Sequence, residues 1–224
     1  MRHYSTSKTA NVLLSTTLLF ISGVAKAADV ISPNVAPAIQ EPAGIYVIPS
    51  LINMQAKTVI SAGLCDVQND VGCTLNDILN DIDGSDDFKP EIRVQFSADD
   101  YPADGLPSNA SMRIRGTASR HAPQKSFRIK LDKDLPLWQG HRKIQLVKSF
   151  YELSRIRNKL SFDLFKNIPH LPSIRTQFVK LNINDQGASK GYGLFTQIEH
   201  VGKEYLTRRG WNKDSGVYKP EHFY

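Results

Sequence analysis

The sequence predicts an α+β fold in which a mostly antiparallel sheet carries one packed helix. Apolar and polar side chains alternate along residues 126–131, which is the period of a strand with one buried face. Turn-forming residues join this run to its neighbours, which favours hairpins and antiparallel pairing. The period changes over residues 153–168, where apolar residues recur at helical spacing.

Length and charge limit the class of protein. The chain has 224 residues, of which 41% are hydrophobic, and this is enough for one sizeable domain. Lys and Arg together outnumber Asp and Glu by 28 to 22. Acidic residues prevail over residues 28–104, whereas most basic residues lie within 112–209. An anionic partner is therefore expected on the second half of the chain.

The first 27 residues have the parts of a secretory signal peptide. A basic start precedes an apolar run over residues 12–24, and Ala25-Lys26-Ala27 then supplies an A-x-A cleavage site before Ala28. The sequence thus predicts a secreted mature chain, periplasmic or extracellular. No later stretch of the sequence is apolar for long enough to span a bilayer, so no membrane span is expected.

Residues 28–90 are predicted to be an N-terminal extension that contains a disulfide. Cys65 and Cys73 are the two cysteines of the sequence, and such a local pair in an exported chain favours one disulfide. Two free buried thiols are the alternative. Thr74 is predicted to be the N-cap of a helix over residues 75–82, which ends near Gly84.

The remaining elements follow from periodicity and turn residues. Strands are expected over residues 45–48, 57–60, 91–96, 112–115, 126–131, 143–147, 175–183, 192–198 and 216–219. The helix over residues 153–168 is expected to lie on the sheet through four apolar residues, namely Leu153, Ile156, Leu160 and Leu164. A short basic helix is expected over residues 203–209.

The hairpin loop between the strands at 112–115 and 126–131 is a candidate anion site. Gly116 permits close approach of the backbone to a ligand. Five cations of the loop and its flanking strands are close enough in sequence to surround one polyanion such as phosphate, namely Arg115, Arg120, Lys125, Arg128 and Lys130. A solvated basic edge that discourages sheet aggregation is the alternative interpretation.

Four segments, in this order and spacing, carry a resemblance to a known family. They are RIRGTASRHAPQKSFRIKL, SRIRNKLSFDLF, FVKLNIN followed by GYGLFTQIEHV, and GVYK. Together they are similar to the motifs of the spore-coat protein H (CotH) kinase family, over residues 91–219. The resemblance implies a protein-kinase-like fold, in which an ATP-binding lobe precedes a helical catalytic lobe. It also marks residues 91–224 as a CotH-kinase-like region.

The resemblance implies ATP and Mg²⁺ as cofactors, phosphoryl transfer to a protein acceptor, and a set of site residues. The implied nucleotide-binding residues are Arg115, Gly116, Ser119, Arg120, Lys125, Arg128, Lys130 and Glu199. Glu199 lies at the strand end that resembles the hinge against which adenine packs. Arg157 and Asn158 match the helix motif of the family.

The chain also departs from the family pattern. Thr117-Ala118 replaces an Asn-Ser pair, and the later acidic motifs that would supply metal ligands have no counterpart. The sequence therefore predicts an incomplete catalytic lobe, in a truncated or inactive kinase whose catalytic residues are unknown. A secreted surface or matrix interaction protein is the alternative. A module for acidic polysaccharide or nucleic acid is less expected, because few aromatic residues accompany the basic strand.

Overall fold

The computed structural model describes residues 51–59, 64–66, 71–82, 89–103, 105–152, 154–168 and 172–218. The predicted signal peptide and the strand expected over residues 45–48 lie outside these ranges. The strands are β1 (Ile52–Val59), β2 (Leu64–Asp66), β3 (Val71–Gly72), β4 (Ile92–Ala98), β5 (Ala110–Ile114), β6 (Phe127–Leu131), β7 (Lys143–Val147), β8 (Thr176–Asp185) and β9 (Ala188–Ile198). The helices are α1 (Leu75–Asn80), a 3₁₀ helix (Ala118–Arg120), α2 (Arg157–Phe165) and α3 (Lys203–Arg208).

Seven of the described strands form a closed barrel in the order β1-β4-β5-β6-β7-β9-β8. Neighbouring strands are antiparallel except for β1 and β8, which pair in parallel and close the ring. The predicted α+β, protein-kinase-like fold is therefore wrong, since the described chain is a mixed barrel with few helices. Strand periodicity shows which residues alternate but not which distant strand completes a sheet. The parallel pairing of β1 with β8, which closes the barrel, is the feature that the sequence pattern did not predict.

The barrel interior is the hydrophobic core. Along β6, Phe127, Ile129 and Leu131 are fully buried, as the alternation predicts, whereas Arg128 is half-buried and Lys130 is exposed. Inward-facing residues of the other strands complete the core, among them Met54, Val94, Phe96, Met112, Ile144, Leu146, Val179, Leu181 and Phe195. Each of these strands therefore has one face in the core, and its other face is left for polar residues.

Helix α2 differs from its prediction in how it packs. No residue of α2 is buried, and Leu160 and Leu164, which were expected to face the sheet, are 54% and 58% exposed. Ile156 is exposed as well, and Leu153 lies outside the described residues. Between α2 and β8, Thr176 Oγ1 donates to Asp163 Oδ1 at 3.5 Å, and Lys159 Nζ lies 5.6 Å from the centroid of the Phe178 ring. Its apolar row faces away from the sheet.

Helix α1 begins where the sequence predicts. The Thr74 hydroxyl accepts from Asp77 N at 3.2 Å, and the Asp77 carboxylate accepts from Thr74 N at 2.7 Å, which makes a capping box. The pairing of β2 with β3 places Leu64 opposite Gly72, the residue that precedes Cys73. The Cys65 side chain lies outside the described residues, so the disulfide stays a prediction.

Two other predictions concern the helix expected over residues 203–209 and the strand expected over residues 216–219. Helix α3 occupies most of the range expected for a basic helix. Residues 216–218 are described without a strand, contrary to the expectation for 216–219. Within the described ranges, none of the helices combines the length and apolar character that crossing a membrane requires.

Candidate anion-binding site

The outer face of β5, β6 and β7 brings cations from neighbouring strands together. The register places Arg113 opposite Arg128, and Arg128 opposite Gln145. These side chains point away from the core because their sequence neighbours, such as Ile129, point into it. A cavity of about 180 Å³ opens on this face, and we call it the basic cavity. Its lining consists of Lys89, Arg113, Ile114, Arg115, Gly116, Thr117, Arg120, Arg128, Gln145 and His200.

Positive charge is crowded in the basic cavity. Burial lowers the pKa of Arg113, Arg115 and Arg128, and the charge of Arg113 lowers the pKa of Arg128 further. Glu91 acts in the opposite direction on the pKa of Arg113 and Arg128. Guanidinium groups stay charged despite such shifts, so the repulsion between the arginines persists. A bound anion would relieve it.

A chain of polar contacts orients the floor of the basic cavity. Arg115 Nε donates to Gln145 Oε1, and Gln145 Nε2 lies 2.7 Å from His200 Nδ1. Lys143 Nζ lies 3.2 Å from His200 Nε2. Burial, together with the charge of Lys143, lowers the pKa of His200, which favours the neutral ring. The contacts hold the Arg115 side chain on the outer face of the sheet.

The loop that follows β5 has a fixed shape. Gly116 has a φ of +86°, and a Cβ there would lie 2.5 Å from Ser119 Oγ, so the position requires glycine. Ser119 Oγ donates to the Arg115 carbonyl at 2.8 Å and thereby closes the turn. Arg120 is buried in an ion pair with Asp81. The loop is therefore tied to the residue that follows α1.

The structure brings together some of the predicted site residues and separates others. Four of them line the basic cavity, namely Arg115, Gly116, Arg120 and Arg128. The remaining residues lie elsewhere: Lys130 is exposed on β6, Lys125 lines a different cavity, Ser119 and Asn158 line a third, and Arg157 is exposed on α2. The Lys125 ammonium group donates to the Arg120 carbonyl, so it also holds the loop in place.

Glu199, which was expected near adenine, is buried in an ion network. Its carboxylate accepts from Arg208 at 2.8 Å, from Arg209 at 3.0 Å and from Arg175 at 3.3 Å. With an exposure of only 1%, this side chain does not reach the basic cavity. The next residue, His200, does line the cavity.

Sequence reasoning missed four polar residues of the basic cavity: Lys89, Arg113, Gln145 and His200. Arg113 belongs to a predicted strand, but its role depends on the cross-strand register with Arg128. On the other side of β6, the register with β7 places Gln145 opposite Arg128. An outward-facing position opposite a cation on the neighbouring strand could have indicated Arg113 as a site residue. Recognising that position requires the correct pairing of the strands.

Comparison with known proteins identifies the class of protein. Residues 112–223 match the family described as CotH kinase protein, and because this is half of the sequence, the chain belongs to that family. The predicted resemblance is thus confirmed. Over 96 residues the chain is 32% identical to inner spore coat protein H of Bacillus subtilis (strain 168). The aligned stretch covers 42% of this chain and 25% of that relative, so the chain spans about a quarter of the relative's length.

Proposed function

We propose that this chain binds ATP through the basic cavity, within a protein-kinase-like function directed at a protein acceptor. The observation that carries the proposal is the convergence of Arg113, Arg115 and Arg128 from two adjacent strands on one cavity. The planar guanidinium group of arginine can donate two parallel hydrogen bonds to the oxygens of a phosphate group. At about 180 Å³ the cavity suits the phosphates, and the remainder of the nucleotide would extend over the outer face towards His200.

The chemistry of phosphoryl transfer fits such a site. The reaction depends mainly on positioning and on neutralising charge, with little covalent work by the protein. Gly116 lets the backbone approach the phosphates, and the arginines compensate their charge. These residues can hold a triphosphate in one orientation.

Mg²⁺ fits the described residues poorly. In the part of the chain that the structure describes, no group of three or more His, Cys, Asp or Glu residues could hold a metal ion. The lining of the basic cavity also contains no carboxylate that could accept a proton from an acceptor hydroxyl. We therefore propose that the isolated chain binds ATP without measurable phosphoryl transfer.

We also propose that the chain is secreted. The signal-like residues 1–27 would be removed before Ala28, which would place the binding region in the periplasm or outside the cell. N-terminal sequencing of exported protein should give Ala28 as the first residue. A chain that retains its basic start would contradict this part of the proposal.

A secreted interaction protein without catalysis is the second candidate. The exposed apolar row of Ile156, Leu160 and Leu164 favours it, because contiguous exposed apolar surface often marks an interface. This candidate requires no nucleotide, so nucleotide binding distinguishes the two.

Calorimetric titration with ATP, with and without Mg²⁺, tests the proposal on a matched pair of variants. Arg128→Met removes a cation of the basic cavity, and Lys130→Met removes a cation two residues further along the same face of β6. We expect Arg128→Met to weaken ATP binding by about tenfold or more, equivalent to roughly 1.4 kcal/mol. Lys130→Met should cost under about 1 kcal/mol, because Lys130 is exposed.

Thermal melts of both variants establish that each is folded. Equal weakening by the two substitutions would show that the cations act only as a general basic surface. Wild-type protein that binds no ATP under either condition would refute the proposed nucleotide site.

A further inference from the structure

A second cavity, of about 480 Å³, contains a buried lysine. Lys148 follows β7, and its cavity shares no lining residue with the basic cavity. We call it the Lys148 cavity. Its walls come from the end of α1, the loop before β6, and β9, and they consist of Leu79, Asn80, His121, Ala122, Pro123, Gln124, Lys125, Lys148, Lys190, Gly191, Tyr192 and Phe195.

Backbone carbonyls of β9 bind the Lys148 ammonium group. Lys148 Nζ donates to the carbonyls of Tyr192 at 2.6 Å and of Leu194 at 2.9 Å. Between these residues Gly193 has a φ of +76°, and the pairing of β8 with β9 shifts register opposite it. The two carbonyls, which belong to residues two positions apart, accept from the same ammonium group.

The charge of Lys148 has no carboxylate partner among the described residues. The residue is only 8% exposed, and its ammonium group lies 4.4 Å from the centroid of the Phe195 ring. Two of its three N–H donors are used by neutral carbonyls, which leaves one donor. A buried cation without a counter-charge is costly, and a bound anion would offset the cost.

The rest of the cavity wall also favours an anion. Lys125 and Lys190 add positive charge, and no acidic residue is part of the lining. Lys148 also lines an adjoining cavity on the side of α2, and the carboxylate in the lining of that cavity is Glu152. Tyr192 and Phe195 supply flat apolar surface beside the ammonium group.

We propose that the Lys148 cavity is a second anion-binding site, which takes a small organic anion whose phosphate or carboxylate meets Lys148. The flat apolar part of the ligand lies against Tyr192 and Phe195. The volume of about 480 Å³ is within the range of small-molecule sites, and an inorganic phosphate ion would leave most of it empty. The site is separate from the proposed ATP site, because the two cavities share no lining residue, although the loop before β6 contributes to both.

Calorimetric titration with phenyl phosphate and with benzoate tests this site and distinguishes the two acidic groups. We expect one of these probes to bind the wild-type protein, and Lys148→Met to weaken that binding by about tenfold or more. The methionine keeps the apolar stem of the side chain and removes its charge. Lys213→Met, at an exposed position, is the control and should bind like the wild type.

Arg128→Met separates this proposal from the proposed ATP site, since it should leave probe binding unchanged. If ATP binding fails but a probe binds through Lys148, the second site stands alone. The proposal is overturned if neither probe binds at millimolar concentration, or if folded Lys148→Met binds a probe as well as the wild type does.

The pH dependence of probe binding gives a second readout that needs no substitution. Burial, with a smaller effect from the charge of Arg155, lowers the pKa of Lys148 to about 8. The other titratable or charged groups that line this cavity or the adjoining one are His121, Lys125, Lys190, Tyr192, Arg115, Tyr151 and Glu152. Since binding needs the ammonium form, affinity should fall as the pH rises above about 8. An affinity that stays constant from pH 7 to about pH 10 would exclude Lys148 as the anchor.

Discussion

Glu199 illustrates how one side chain can have a different role from the one its sequence position suggests. It directly follows β9, where the sequence resemblance led us to expect a contact with adenine, yet its carboxylate binds Arg175, Arg208 and Arg209. These arginines come from the start of β8 and the end of α3, so the carboxylate fixes α3 against the barrel. Removing its charge would leave the buried Arg209 guanidinium without this carboxylate partner.

Glu199→Gln should therefore lower the free energy of unfolding by about 3–5 kcal/mol, as expected when one partner of a buried ion network is lost. Urea unfolding measures the change. Asp214→Asn is the control, because Asp214 pairs with Lys203 at 3.2 Å with both side chains largely exposed. That control should cost under about 1 kcal/mol, and equal losses would show that the Glu199 network adds no stability of its own.

Helix α2 shows what periodicity reveals at the scale of an element. Apolar residues at Ile156, Leu160 and Leu164 correctly predict a helix with one apolar face. They do not predict what covers that face, and in the structure these three side chains are exposed. Asp163, which is not part of this apolar row, is one of the α2 residues that contact β8.

Leu160→Ala should change the free energy of unfolding by no more than about 0.5 kcal/mol, because the side chain is 54% exposed. Leu146→Ala makes the same chemical change inside the barrel and should cost about 2–5 kcal/mol. Chemical denaturation of both variants gives the comparison. A cost for Leu160→Ala near that of Leu146→Ala would mean that α2 is packed in solution in another way.

At the scale of the whole molecule, the sequence predicts local features well and long-range pairing poorly. The β6 strand, its buried face and the Thr74 cap follow from residues close together in sequence. Arg115 and Arg128 were expected to lie close together for the same reason, and both line the basic cavity. Lys89 and His200 reach the basic cavity only through the folded chain. Barrel closure likewise depends on contacts between remote segments, which no local pattern encodes.

The buried His141 should make the stability of the whole molecule depend on pH. Burial, with the charges of Arg175, His200 and Arg209 nearby, lowers the pKa of His141 to about 4, from about 6.5 when unfolded. Between these values the unfolded chain binds a proton that the folded chain does not. Stability should therefore fall as the pH is lowered from about 6.5 to 4, by up to about 3 kcal/mol from this group.

Urea unfolding across this pH range measures the effect. His141→Gln should flatten the dependence relative to the wild type, whereas His121→Gln, at an exposed position, should leave it unchanged. If His141→Gln kept the full wild-type slope, the acid sensitivity would have to come from the carboxylates.

The parallel pairing of β1 with β8 also has a consequence for folding kinetics. Thr58 Oγ1 donates to Asp185 Oδ1 at 2.6 Å across 127 positions of sequence. Strands β5, β6 and β7 are consecutive antiparallel neighbours and can pair through short loops, whereas β1 can join β8 only after most of the chain has been ordered. Contacts between residues that are so far apart in sequence slow folding. Closure of the barrel should therefore be the late step, on the scale of milliseconds to seconds. Until β1 docks, the edges of β4 and β8 stay open to pairing with other chains.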